Sequence, residues 1–283
     1  MPDPEPITSP ANPRVKRAAA LRDADERRTT GLTLVDGRRE LARAAASGVE
    51  IVEVFVDARR LDDPPTAEFG TRLAEWLGTL AASGTHVVTA SERAFDRVAF
   101  GGRNEGVVGV VRFASRRLVG STFAVDRPLF VVEGVEKPGN LGAILRTADA
   151  AGIGGVILCA ARTDVANPAA IRASLGTAFT LPVASCSTAE AIEWCSRHDR
   201  PIVAAMPAGT RLWHEADLRG TVAILLGSEA HGLTDAWPAA AAAGTIRMQS
   251  VRLPMHGVAD SLNLSVTAAV LAYESVRQRE AGR

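Results

Sequence analysis

Residues 129–146 read LFVVEGVEKPGNLGAILR, and the fold turns on this stretch. Leu129 to Val132 is a short apolar run without polar alternation, so both of its faces must be covered. A turn follows at Pro138 and Gly139. Leu141, Ile144, Leu145 and Ala148 then recur at helical spacing, which predicts a helix with Asn140 as its N-cap. Three more unbroken runs lie downstream, Val156 to Cys159, Ile202 to Ala205 and Val222 to Leu226. Buried strands separated by helices make an α/β domain with a parallel sheet. The last helix is predicted from Leu262, Val266, Ala269, Tyr273 and Val276, an i, i+4, i+7, i+11, i+14 stripe that must pack on something, with Asp260 or Ser261 as N-cap.

Upstream, Leu32 to Val35, Ile51 to Val56, Val87-Val88 and Val107 to Val111 read as strands. They alternate with helical patterns around Leu41 to Ala46 and at Phe69, Leu73, Trp76, Leu77 and Leu80, giving a small α/β domain. Residues 1–10, with four prolines, are expected to be a disordered tail. The domains are then 11–113 and 128–283, joined by a linker over 114–127 that has no clear period. Between Arg14 and Arg43 nine Lys and Arg stand against five acids, either a phosphate-facing surface or a solvated helix face.

The 283 residues carry 32 basic and 32 acidic side chains and are 47% hydrophobic. Zero net charge argues against a uniformly cationic nucleic-acid binder but leaves room for a local basic patch. Three cysteines without a CxxC suit a reducing compartment, so a cytoplasmic protein is expected. No apolar run approaches about 18 residues and the N-terminus lacks a signal-peptide profile, so neither membrane spanning nor secretion is expected.

Ligands of parallel α/β sheets sit beyond the carboxyl ends of the strands, which directs attention to three segments. The first runs from Asn140 to Arg146; Arg146 lies about 140° round the helix from Leu141 and so points away from the buried stripe, and Asn140 and Arg146 are both expected to face a cleft. The second, Gly227-Ser228-Glu229-Ala230-His231-Gly232-Leu233, brackets an acid with glycines directly after a buried strand. The third, Arg252 to Asn263, ends in polar residues at a helix N-terminus. His231 and His256 are isolated and carry no assignment. There is no GxxxxGK[ST] and no GxSxG, Gly152-Ile153-Gly154-Gly155 precedes a strand instead of following one, and Cys195-x-x-His198 lacks zinc-spaced partners, so no metal is expected.

In this order the three segments resemble the SpoU (TrmH-like) family of SPOUT RNA methyltransferases. The match is Asn140-x-Gly142-x-x-x-Arg146, then Gly227-x-Glu229-x-x-Gly232-Leu233, then Pro254-Met255-x-Gly257-x-x-x-Ser261-Leu262-Asn263-x-Ser265-Val266. Asp36 and Glu105 stand where the family often has Glu and Gln, and Ser228 and Ala230 where it often has Asn and Gly. The resemblance implies a C-terminal SPOUT domain with a parallel sheet and deep trefoil knot, behind a small N-terminal RNA substrate-binding domain. It implies transfer of methyl from S-adenosyl-L-methionine to a ribose 2′-hydroxyl, most similar to the ribosomal-RNA enzymes including antibiotic-resistance members. A tRNA 2′-O-methyltransferase and a non-catalytic RNA-binding protein of this fold are the alternatives. It further implies a homodimer through the C-terminal domain. Asn140, Arg146, Glu229, Ser261 and Asn263 are the catalytic residues it implies, with Arg146 positioning phosphate and ribose before any proton transfer. Ala205, Leu226, Gly227, Glu229, Gly232, Leu253, Met255 and Leu262 are the implied cofactor contacts.

Overall fold

The computed structural model describes residues 5–65, 69–100 and 105–282. The chain forms two compact units, one running through Ala114 with Ala166–Phe179 added, the other made of Ser115–Val165 and Thr180–Arg283.

The first unit holds strands β1 (Leu32–Asp36), β2 (Ile51–Asp57), β3 (His86–Ala90) and β4 (Val107–Arg112), in the order β1-β4-β2-β3. β4 is antiparallel to β1 and β2, and β3 extends β2 in parallel. Its helices are α1 (Pro13–Ala20), α2 (Ala24–Thr30), α3 (Arg38–Ala46), α4 (Leu73–Ala82) and α5 (Glu92–Val98). Val15 and Ala18 of α1 and Phe95 of α5 bury against Phe55, Val88 and Val108. α3 crosses the sheet at Gly109, where an added Cβ would overlap the Leu41 side chain.

Residues 1–4 of the expected tail lie outside the described residues. Ile7, within that tail, is ordered: its N–H donates to Thr89 O at 2.8 Å and its carbonyl accepts from Ser91 N at 2.9 Å. Bonding to the backbone beside β3 satisfies this segment without a core of its own.

The second unit builds an eight-stranded sheet from β5 (Arg116–Arg117), β6 (Leu129–Glu133), β7 (Val156–Cys159), β8 (Val183–Cys186), β9 (Ile202–Ala205), β10 (Arg211–Leu212), β11 (Ala223–Leu226) and β12 (Met248–Arg252). The order is β10-β12-β9-β11-β6-β7-β8-β5, and its pairings are parallel. The helices are α6 (Pro138–Ala150), α7 (Pro168–Ala173, which belongs to the first unit), α8 (Thr188–Arg197), α9 (Ala236–Ala242) and α10 (Leu264–Ala281). Trp194 and Cys195 of α8 and Trp237 of α9 pack on Val131, Ile157 and Leu225. Strand side chains alternate between faces, and α10, paired with α6, packs against β11 from among these elements.

Three expectations need correction here. Within 114–127, read as a linker, Arg116 and Arg117 pair with Ala184 and Ser185, and Leu118 enters the core. A two-residue strand leaves no period for sequence to register. α10 buries Leu264, Ala268, Leu271 and Ala272, whereas Leu262, Val266 and Tyr273 of the expected stripe are 39%, 46% and 55% exposed. The helix is apolar on two sides, and spacing cannot say which side its own chain covers. Its N-cap is Asn263, whose side chain accepts from Ser265 N, in place of Asp260 or Ser261.

Ala166–Phe179 follows β7 in the chain yet is bonded into the first unit. Thr33 Oγ1 donates to Ala166 O at 2.5 Å and Arg43 Nη1 to Leu175 O at 2.6 Å. Arg172 pairs with the buried Asp36 carboxylate at 3.0 Å, and Asp36 also accepts the Phe100 N–H at 2.7 Å. Burial outweighs these partners and raises the Asp36 carboxyl to about 6. The folded chain therefore binds this proton more tightly than the unfolded chain, so folding stability from Asp36 increases as pH falls through about 6 and levels off below the unfolded value near 4. In chemical denaturation, the wild type is expected to gain stability relative to Asp36→Asn between pH 7.5 and 5; a constant difference refutes this.

Candidate active site

Four parallel strands of the second unit end level with one another. Leu226 pairs in register with Val132 and with Ala205, and Ala205 with Val251. The loops after β6, β9, β11 and β12 thus leave one edge of the sheet, the edge where ligands of such folds sit.

The loops after β9 and β11 are tied down by close backbone approach. After β9, Met206 N donates to Val251 O at 2.9 Å, and Arg252 Nη1 donates to Gly209 O at 3.1 Å. A Cβ at Gly209 would overlap the Val251 carbonyl carbon. After β11, Ser228 and Gly232 exchange two backbone hydrogen bonds, 2.9 and 3.0 Å. Gly232 adopts φ +67°, and a Cβ at Gly227 would overlap the Gly232 backbone. The two glycines are needed for a tight turn that carries Glu229 at its exposed tip.

There the three segments meet. Asn140 Nδ2 donates to the Glu229 carboxylate, Asn263 Nδ2 donates to Asn140 Oδ1 at 3.1 Å, and Asn263 Oδ1 accepts from Ser265 N at 2.9 Å and Ser265 Oγ at 2.7 Å. An ionised carboxylate only accepts hydrogen bonds. Glu229 therefore fixes the amide orientation of Asn140, which in turn fixes that of Asn263. One charge polarises residues 123 positions apart in sequence.

Asn140 is not the N-cap of α6. That helix begins at Pro138 with Lys137 before it, because proline at the first position gives up an N–H that has no helical partner anyway. Asn140 stands in the first turn, and its amide reaches sideways to Glu229 and Asn263. Arg146 is exposed on the same helix, six residues on. At about 100° per residue it lies roughly 120° from Asn140, so one chain does not join it to the network. Ser261 is exposed and bonds Asp260 Oδ1 at 3.2 Å. Of the expected cofactor contacts, Ala205 and Leu226 end adjacent strands, Gly227, Glu229 and Gly232 form the turn, and Leu253 and Met255 are half-buried after β12. Leu262 is 39% exposed. Among the described residues no group of three or more His, Cys, Asp or Glu is placed to hold a metal ion.

Glu133 escaped the sequence reading. It ends β6, is buried, and accepts from Thr188 Oγ1 at 2.6 Å, Thr234 N at 2.8 Å and Thr234 Oγ1 at 2.9 Å. Thr234 follows the Glu229 turn directly after Leu233, so this carboxylate clamps the turn to the start of the first-segment loop. The available signal was an acid closing an unbroken apolar strand, since a buried charge needs donors.

Residues 128–273 match the model of the SpoU rRNA Methylase family, and residues 12–109 match the MRM3-like substrate binding domain. The 23S rRNA (guanosine-2′-O-)-methyltransferase RlmB of Bordetella pertussis is 32% identical over 246 residues, 85% of this chain and 94% of that protein. A crystal structure of an RNA 2′-O ribose methyltransferase superposes with TM-score 0.80 at 35% identity, covering 98% of this chain and 100% of the other. The SpoU methyltransferase AviRb of Streptomyces viridochromogenes, in complex with the cofactor AdoMet, superposes with TM-score 0.81 at 26% identity, covering 96% and 100%. With both parts matched in order along the chain, and the three segments of the second joined at one sheet edge, the protein belongs to the SpoU rRNA methylase family.

Proposed function

We propose that this protein is an S-adenosyl-L-methionine-dependent methyltransferase acting on a ribose 2′-hydroxyl of ribosomal RNA, in the cytoplasm. The observation that carries it is the Glu229–Asn140–Asn263 hydrogen-bonded chain at the carboxyl edge of the parallel sheet. The edge suits the cofactor: Ala205, Leu253 and Met255 offer an apolar wall for adenine and the aliphatic chain, the buried Leu226 offers its backbone, and Glu229 offers a carboxylate beside a cationic sulfonium. S-adenosyl-L-methionine supplies the electrophilic methyl when bound. Asn140 and Asn263, oriented by Glu229, hold the ribose so that its 2′-oxygen lines up for transfer, and such alignment accounts for much of the rate of a displacement. Arg146 and Ser261, both exposed, are assigned to the RNA phosphate and ribose.

The homodimer belongs to the same proposal. Val266 and Tyr273 leave an apolar strip of α10 exposed at 46% and 55%, and a second copy covers such a strip at the least cost in new surface. The trefoil knot belongs to it as well, supported by the last strand, β12, lying between β9 and β10 inside the sheet.

Purified protein is expected to transfer methyl from S-adenosyl-L-methionine to 23S rRNA and not to the same sequence as DNA, which lacks the acceptor hydroxyl. Equal labelling of DNA refutes the reading. Glu133→Gln places an amide donor against the threonine donors, and the clamp on the Glu229 turn is expected to fail. The effect should be a fall in kcat of about tenfold, from the loss of one charge-assisted bond, with KM for RNA changed far less and Glu133→Asp recovering part of it. A lower Tm with normal kcat would assign Glu133 to folding alone. Val266→Glu with Tyr273→Glu should convert dimer to monomer in sedimentation velocity, and an unchanged dimer would place the interface elsewhere.

A further inference from the structure

The first unit contains a pocket of about 330 Å³ lined by Glu40, Glu105, Phe100, Arg39 and Arg172 among others, in the range of small-ligand sites. Glu40 is 5% exposed. Among the described residues its carboxylate takes a hydrogen bond only from its own backbone N–H. Burial, followed at lower weight by the like charge of Glu105, pushes its carboxyl above the usual range, against the pull of its own backbone N–H and the charges of Arg39 and Arg172. Glu105 Oε2 accepts the Arg38 N–H at 3.2 Å. Both carboxylates converge on Gly37, whose φ of +131° suits glycine alone and where an added Cβ would overlap Glu40 Oε2. Across the pocket Arg172 is held by Asp36 at 3.0 Å and by the Phe100 carbonyl at 3.2 Å.

A carboxylate has about four acceptor positions, and one buried with a single local donor is costly unless a ligand brings more. The missing complement is a pair of adjacent N–H donors on a flat group that packs beside a phenyl ring. Among ribonucleobases only guanine presents such a pair, N1–H with the 2-amino group. The amino groups of adenine and cytosine sit beside a ring-nitrogen acceptor, and the uracil imide N–H lies between two carbonyls. Unpaired RNA bases are read in this way, by stacking on aromatics and by hydrogen bonds to their Watson–Crick edges.

We propose that this pocket binds an unpaired guanine of the substrate RNA, with Glu40 and Glu105 accepting from N1–H and the 2-amino group, Phe100 packing on the base and Arg39 serving the adjoining phosphate. The proposal rests on reading the chain as an RNA methyltransferase, and makes the first unit a base-specific reader.

Calorimetry of the full-length protein with guanosine, inosine and adenosine 5′-monophosphates tests it. Guanosine monophosphate is expected to bind about tenfold tighter than inosine monophosphate, which lacks the 2-amino group, and more tightly still than adenosine monophosphate. Glu40→Gln should lose about tenfold in guanosine monophosphate and rRNA affinity while S-adenosyl-L-methionine affinity stays unchanged, and Glu105→Gln gives the same readout should Glu40→Gln fail to fold. Equal binding of the three nucleotides, or no binding of any, by a protein that still methylates rRNA overturns the pocket and leaves the enzyme reading standing. Loss of rRNA methylation by the wild-type protein itself would overturn the reading beneath it.

Discussion

Parallel pairing governs the second unit. A strand that runs beside its predecessor in the same direction must be reached by a crossover, so every loop at the carboxyl edge is separated from the next by a helix or a long excursion. Val132, Leu226, Ala205 and Val251 stand in one row. Sequence distance is thereby exchanged for spatial proximity, and three segments spread over more than a hundred residues share one small volume. The covering helices, α6 with α10 and α8 with α9, follow from the same constraint, because each crossover must bury an apolar face against the sheet.

Two carboxylates then set the local order at that edge, in different ways. Glu229 is exposed and fixes the direction of a chain of side-chain amides. Glu133 is buried and holds the backbone and hydroxyl of Thr234 together with the hydroxyl of Thr188. The exposed acid is screened by water and contributes orientation more than stability. The buried one carries a desolvation cost that its three donors offset, so removing a donor leaves a charge uncompensated. The mobile demands of binding and the rigid demands of alignment are divided between them.

Most of this was legible in the sequence where burial is continuous. The runs at Leu129, Val156, Ile202 and Val222 become adjoining parallel strands, and Leu141, Ile144, Leu145 and Ala148 are the buried face of α6. The three site segments were identified in order, and the structure joins Asn140, Glu229 and Asn263. Legibility failed where a residue's role depends on a partner that periodicity cannot name. Pro138 shifts the start of α6 and so moves Asn140 from cap to first turn. α10 has two apolar sides, and the choice between them belongs to tertiary packing. Glu133 and Arg172 looked like ordinary charges because their partners lie 101 and 136 residues away.

The same limit bears on how the first unit is held together. Its sheet and five leading helices come from one continuous stretch, but the buried Asp36 carboxylate is paired at 3.0 Å with Arg172, which is delivered after β7. Leu175 and Ala166 accept further bonds from Arg43 and Thr33. Breaking a buried ion pair by removing one partner costs about 3–5 kcal/mol, a large fraction of the stability of a domain this size. The amino-terminal half is therefore an incomplete folding unit on its own. The segment that completes it is inserted between two strands of the sheet that carries the Glu229–Asn140–Asn263 network, so the substrate-binding fold is built in part from within the methylase half of the chain.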